Sequence, residues 1–280
     1  MRYGYEQLPE PMQLENLSDD LRREIWNCIR QWILIAHSRG TGYGRALTGD
    51  GVRLFERVVG RLTRLPEDEV PSAYDEVHAL FKNTILKDPF NLVLDLVEVL
   101  CNDEQGRAPF AQHMAGFFEQ HAAPYWLDTS HRPYRFAPRS SQEQGDATRK
   151  ALDSLRAGKM DGARTHLRNA VDHINGGRYA DSVADSIHAV ESVARLIDPK
   201  AAKTLGPALK SLERHGVLTH KALAEGFSNL YGYSSNEQGI RHALLDKDAP
   251  RVTLDEAVFM YGACASFAAY LVSKRRQVNQ

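Results

Sequence analysis

A chain of 280 residues with 42% apolar side chains can bury the core of one large domain or two of ordinary size, which excludes a disordered polymer. Its 35 Lys and Arg nearly cancel its 36 Asp and Glu, so no global field announces a nucleic-acid or membrane partner, and any RNA binding has to be local. Three widely separated cysteines, Cys28, Cys101 and Cys264, contain no CxxC pair; they argue against a disulfide framework or a zinc site and read as reduced, buried thiols in a cytoplasmic protein.

The N-terminal arm, MRYGYEQLPEP, has no apolar run of the secretory kind. Ser18 then suits the N-cap of a helix with Asp19 and Asp20 in its first turn, where negative charge complements the dipole. Leu21, Ile25, Trp26, Ile29, Trp32 and Ile33 recur at helical spacing behind it. Val52, Phe55, Val58, Val59 and Leu62 form a second stripe, and Tyr74, Val77, Phe81 and Ile85 a third, capped at Ser72. DPFNLVLDLVEVLCND and APFAQHMAGFFEQHAA each set a proline near a helix start, where its missing N–H costs least, so five helices fill the first half.

In PYWLDTSHRPYRFAPRSS aromatic residues flank a polar turn, which suits a short β-ribbon near residues 125–138. SSQEQGDATRKAL restarts a helix, placing a boundary near residue 140 and dividing the chain into domains 1–140 and 141–280. From there the chain reads as helical throughout, with one stripe at Leu167, Ala170, Val171 and Ile174 ended by the glycines of GGR, residues 176–178. Helices over 182–197, 205–212, 223–230 and 255–273 complete an all-α fold of two helical bundles. The longest nearly apolar run, Val258 to Val272, is shorter than the roughly 20 residues that span a bilayer, so no membrane partner is expected. The same helix carries Gly262, Ala263, Cys264, Ala265, Ser266, Ala268 and Ala269, small residues that let a neighbour approach closely, either an internal helix or a second subunit.

The site candidates lie in LYGYSSNEQGIRHALLD, Leu230 to Asp246. Ser234 with Glu237 and Ser235 with Gln238 both satisfy the S-x-x-E/Q capping box, which predicts a helix beginning at one of these serines. Arg241 and His242 then fall in its first two turns, where free N–H groups and the dipole favour an anion and hold an imidazole neutral. Neighbouring helical residues point about 100° apart, so these two line different walls of a cleft. His242 and Asp246 are four apart, which suits a base and its orienter and equally suits a solvated pair on a helix surface. Glu191, at the edge of an apolar stripe, is either functional or paired with Arg195 four residues on. RNAVDH, Arg168 to His173, puts its ends about 140° apart on a helix whose apolar positions already explain it as core.

Two regions together resemble a known family. YGYEQLPEPMQLENLSDDLRREIWNCI through SHRPYRFAP resembles the N-terminal helical domain of AbiJ-like abortive-infection proteins of bacteria. SVADSIHAVESVAR, TLGPALKSLERHGVLTHKALAEGFSNLYGYSSNEQGIRHALLD and DEAVFMYGACASFAAYL look like the HEPN-type domain that accompanies it. The resemblance implies an all-helical bundle that dimerises through the C-terminal domain and acts as a metal-independent RNase in antiviral defence, with no cofactor. The motif of such domains is an Arg, usually followed by a polar residue, and a His some five residues after the Arg. Arg241 and His242 fill its first part, and Asp246 stands where the later His is expected. Either His242 takes over the proton transfer, or the domain is a non-cleaving RNA- or protein-binding subunit of a defence complex. The implied catalytic set is Arg241, His242, Asp246 and Glu191, with Asn236 joining Arg241 and His242 on RNA. The N-terminal domain would meet a trigger or protein partner.

Overall fold

The structure is a computed structural model that describes residues 16–42, 44–63, 69–103, 108–130, 132–198, 205–214, 216–217, 220–235 and 252–278. The chain divides into two compact units, Met1–Pro138 and Arg139–Gln280.

The first unit holds α1 (Asp19–Ile29), continued by a π-helical stretch (Arg30–Ile35), then β1 (Ser38–Thr41), β2 (Gly44–Leu47), α2 (Gly49–Thr63), α3 (Tyr74–Lys87), α4 (Phe90–Asn102), α5 (Ala108–Gln120), β3 (Tyr125–Asp128) and β4 (Arg135–Pro138). Ser18 caps α1 as expected, its hydroxyl accepting from the Leu21 amide at 3.3 Å. The stripe behind it is buried at Leu21, Ile25, Trp26, Ile29 and Ile33 and packs with Phe55, Val58, Val77, Phe81 and Ile85 from α2 and α3. Arg22 ties α1 to the end of α3, donating to the carbonyls of Ile85 and Asp88 at 2.8 and 2.9 Å, where helix-end carbonyls have no partner of their own. The N-cap of α3 is Ala73, one residue beyond the expected Ser72, and the Glu76 carboxylate reaches back to its amide at 3.4 Å.

The β1–β2 hairpin was not anticipated by the periodicity. SRGT and GRAL lack apolar alternation and three glycines crowd the turn, so no strand signal exists there. Its base is closed by the His37 carbonyl, which accepts from the Thr48 amide at 2.9 Å and the Thr48 hydroxyl at 3.1 Å. A Cβ at Gly51 would lie 2.3 Å from that same oxygen, so the first turn of α2 admits only glycine there.

The expected ribbon is present: β3 and β4 pair antiparallel with Trp126 opposite Ala137 and Leu127 opposite Phe136. Two polar residues of α4, four apart and therefore on one face, hold it. Glu98 accepts from Arg135 Nη1 at 2.8 Å and from the Phe136 amide at 3.0 Å. Asn102 accepts from the Tyr134 amide at 2.6 Å and donates to its carbonyl at 2.8 Å.

The second unit is helical: α6 (Gln142–Ala157), α7 (Asp161–Asn175), α8 (Tyr179–Ile197), α9 (Leu205–Arg214), α10 (Lys221–Ser235) and α11 (Leu254–Val278). Ser141 caps α6, accepting from the Gln144 amide at 3.1 Å. Beside this first turn Arg139 is fully buried, and a Cβ at Gly145 would stand 2.7 Å from its Cδ. The α7–α8 turn closes as a Schellman motif: the Arg178 amide donates to His173 O at 2.8 Å, the Gly177 amide to Ile174 O at 3.0 Å, and Gly177 takes φ +70°.

α11 packs against α6, α7 and α8. Its stretch Leu254–Arg275 is longer than the run read from sequence and, by length and composition, enough to cross a bilayer. Most of it is nonetheless buried within the unit, with Ala257, Val258, Ala265, Ala268 and Leu271 fully enclosed, as in the core helix of a bundle. Gly262 faces the α6 side chain Gln144, whose Nε2 would lie 2.4 Å from an added Cβ, so an internal helix fills this part of the small-residue surface.

Candidate functional site

Asn236, Arg241, His242 and Asp246 lie outside the described residues. The serines before them do not open a helix: Ser234 and Ser235 are the last two residues of α10. Ala224, Phe227, Leu230 and Tyr231 carry an apolar face along that helix, and Phe227 stacks on Phe267 of α11; this packing outweighs the local capping signal. A capping box forms at Thr253–Glu256 at the start of α11, where Glu256 accepts from the Thr253 amide at 2.7 Å and the Thr253 hydroxyl accepts from the Glu256 amide at 3.4 Å. Glu191 is buried at 8% exposure, and its Oε2 lies 3.5 Å from Arg195 Nη2. The ordinary i, i+4 ion pair is therefore formed.

The densest chemistry in the described residues lies instead on the facing sides of α7 and α8. His166 and His173 are seven apart on α7, and Asp185 and His188 three apart on α8, so each pair shares a face. Asp185 is the hub: its Oδ1 lies 2.8 Å from His166 Nδ1 and 3.7 Å from His188 Nδ1, and its Oδ2 lies 3.0 Å from His173 Nε2. The His166 and His188 rings are 5.4 Å apart. Asp185 is 15% exposed, whereas His188 is half exposed.

Donor chemistry fixes one tautomer in this cluster. The Arg178 Nε and Nη2 atoms lie 2.9 and 2.7 Å from His173 Nδ1, and a guanidinium can only donate. Nδ1 of His173 therefore accepts, the ring proton sits on Nε2, and that proton is donated to Asp185. The Schellman turn explains the contact: the backbone bond from Arg178 to His173 O brings the two side chains together.

Both nitrogens of His173 are thus engaged, which makes it a brace for Asp185 and not a free base. This matters because Arg168, Asn169 and His173 also satisfy the Arg, polar residue, His spacing described above. His166, held at Nδ1 by a braced carboxylate, has the better geometry for a base, through Nε2. In the sequence this cluster is signalled by the seven-residue spacing of His166 and His173, matched by D-x-x-H at 185–188.

The cysteines carry no nucleophile. Cys28, Cys101 and Cys264 are all buried and free, and burial pushes Cys28 up to about 11 and Cys264 up to about 12, so neither is a thiolate near neutral pH.

The fold and the site together define a two-unit, all-α protein with a histidine–carboxylate cluster on its second unit. Residues 1–154 match the family model described as AbiJ N-terminal domain 4, more than half of the chain, and the chain belongs to that family. The family suggests a part in abortive-infection defence. No curated protein and no solved structure gives a significant match.

Proposed function

We propose that this protein acts in bacterial antiviral defence as an abortive-infection effector, and that its C-terminal unit is a HEPN-like domain that cleaves RNA without a metal ion. Membership of the AbiJ family over residues 1–154 carries this reading, supported by the run SNEQGIRHALLD and by the helical character of the second unit. Arg241 stabilises the charge developing on the phosphate, and His242 takes the 2′-hydroxyl proton with Asp246 as its orienter. Asn236 adds a contact to RNA, and Glu191, while paired with Arg195, also orients Arg241. The protein works in the cytoplasm as a homodimer formed through its C-terminal unit, and two site sets facing one cleft bring Arg241 and His242 to bear on one phosphate. The N-terminal unit receives the trigger or a protein partner.

Asp246 favours a second reading, a regulatory or scaffold subunit that binds RNA or protein without cleaving. The two separate on incubating the purified chain with a mixed RNA pool in EDTA, beside Arg241→Ala, His242→Ala and the double variant. RNA loss above that of the double variant supports the nuclease; equal loss in all four leaves the scaffold. Light scattering tests the dimer, and a monomer at micromolar concentration removes the shared cleft.

A further inference from the structure

We infer that His166, Asp185 and His188 form a binding site for one divalent transition-metal ion of the zinc class, bridging α7 and α8. One ligand atom from each residue lies within 4.8 Å of the other two, and all three sit on regular helices packed against each other. Two imidazoles and one carboxylate are a donor set that suits zinc and its neighbours and leaves a fourth position for water.

The distances are close to what an ion needs. Metal–ligand bonds of about 2.0–2.2 Å place tetrahedral ligand atoms about 3.4 Å apart. The ion replaces the proton shared by His166 Nδ1 and Asp185 Oδ1, which leaves to solvent; that pair, 2.8 Å apart, has to open slightly, and His188 Nδ1, at 3.7 Å from the same oxygen, has to close by a few tenths of an ångström. The half-exposed His188 ring can make that adjustment and leaves an entry path from solvent.

Outer support is already in place. Ligating carboxylates are usually held by a hydrogen bond to their second oxygen, and here His173 Nε2 supplies it at 3.0 Å, itself locked by Arg178. His173 is a positioning residue for the ion. The site uses none of residues 236–246, so it stands whether or not the chain cleaves RNA, and the ion serves to pin α7 to α8.

The test is titration of the full chain with Co2+, followed by the visible absorption of the four-coordinate ion, with Zn2+ as competitor and dialysis for stoichiometry. One ion per chain is expected, displaced by Zn2+. His166→Ala and His188→Ala, shown to be folded by circular dichroism, abolish the band, and His173→Gln weakens affinity about 10–100-fold. Absence of a saturable one-to-one band overturns the site, as does a band that survives in the folded His188→Ala variant or in the combined His166→Ala, His188→Ala variant.

Discussion

Across the α7–α8 contact, His173 donates through Nε2 to Asp185 Oδ2 at 3.0 Å, because Arg178 already occupies the opposite ring nitrogen. Asp185 thus accepts from helix α7 at both of its oxygens, with His166 on the other. Asp185→Ala leaves two imidazoles without their acceptor and is expected to lower stability by about 1–2 kcal/mol, hydrogen bonds to charged groups being among the stronger ones. Urea unfolding measures the loss; Asp185→Asn, which keeps one acceptor oxygen, should lose less.

Glu98 joins α4 to the β3–β4 ribbon through Arg135 Nη1 and the Phe136 amide. Glu98→Ala removes both bonds, so amide exchange across residues 125–138 should rise, and global stability should fall by about 2 kcal/mol. Protection in the ribbon unchanged from the parent chain would show that the apolar contacts of Trp126 and Phe136 suffice.

Two glycines should respond with opposite signs to the same change. Gly145 has no room for a methyl group beside the buried Arg139, and Gly145→Ala should destabilise by about 1–3 kcal/mol. Gly60 lies inside α2 with nothing within 4 Å of an added Cβ, and Gly60→Ala should stabilise by about 0.5–1 kcal/mol. Thermal melts of both variants beside the parent decide the pair.

His78 makes the first unit sensitive to acid. Burial lowers its pKa, the Lys82 and Arg30 cations add to the shift, and Asp75 partly opposes it; the ring lies edge-on to Trp26 with centroids 4.9 Å apart. A folded state that protonates His78 less readily than the unfolded chain keeps its full stability above the unfolded pKa of about 6.5 and loses it as pH falls through the interval below. The urea midpoint should therefore drop between pH 7 and pH 5, and His78→Gln should flatten that drop. A slope identical in the two proteins would remove His78 from the account.

The candidate site was legible in sequence only as parts. His166, His173, Asp185 and His188 each sit at positions whose spacing places them on helix faces, yet nothing local says that the two faces meet. Arg178 is the clearest case, since its bond to His173 depends on a turn whose glycines were read correctly as a helix end without the side-chain contact that this end creates.

Repeating apolar positions at three and four residues, with the cap at Ser18, set most of the helices and their buried faces, because a helix must cover such a stripe wherever it packs. The ribbon at 125–138 followed from aromatic residues around a turn. The hairpin at 38–47 rests on its own backbone ladder and the His37–Thr48 bonds, whereas the continuation of α10 through Ser235 and the meeting of three histidines on one carboxylate were decided by tertiary packing. These depend on which surfaces press together, and short-range pattern carries the identity of a helix face but not of its partner.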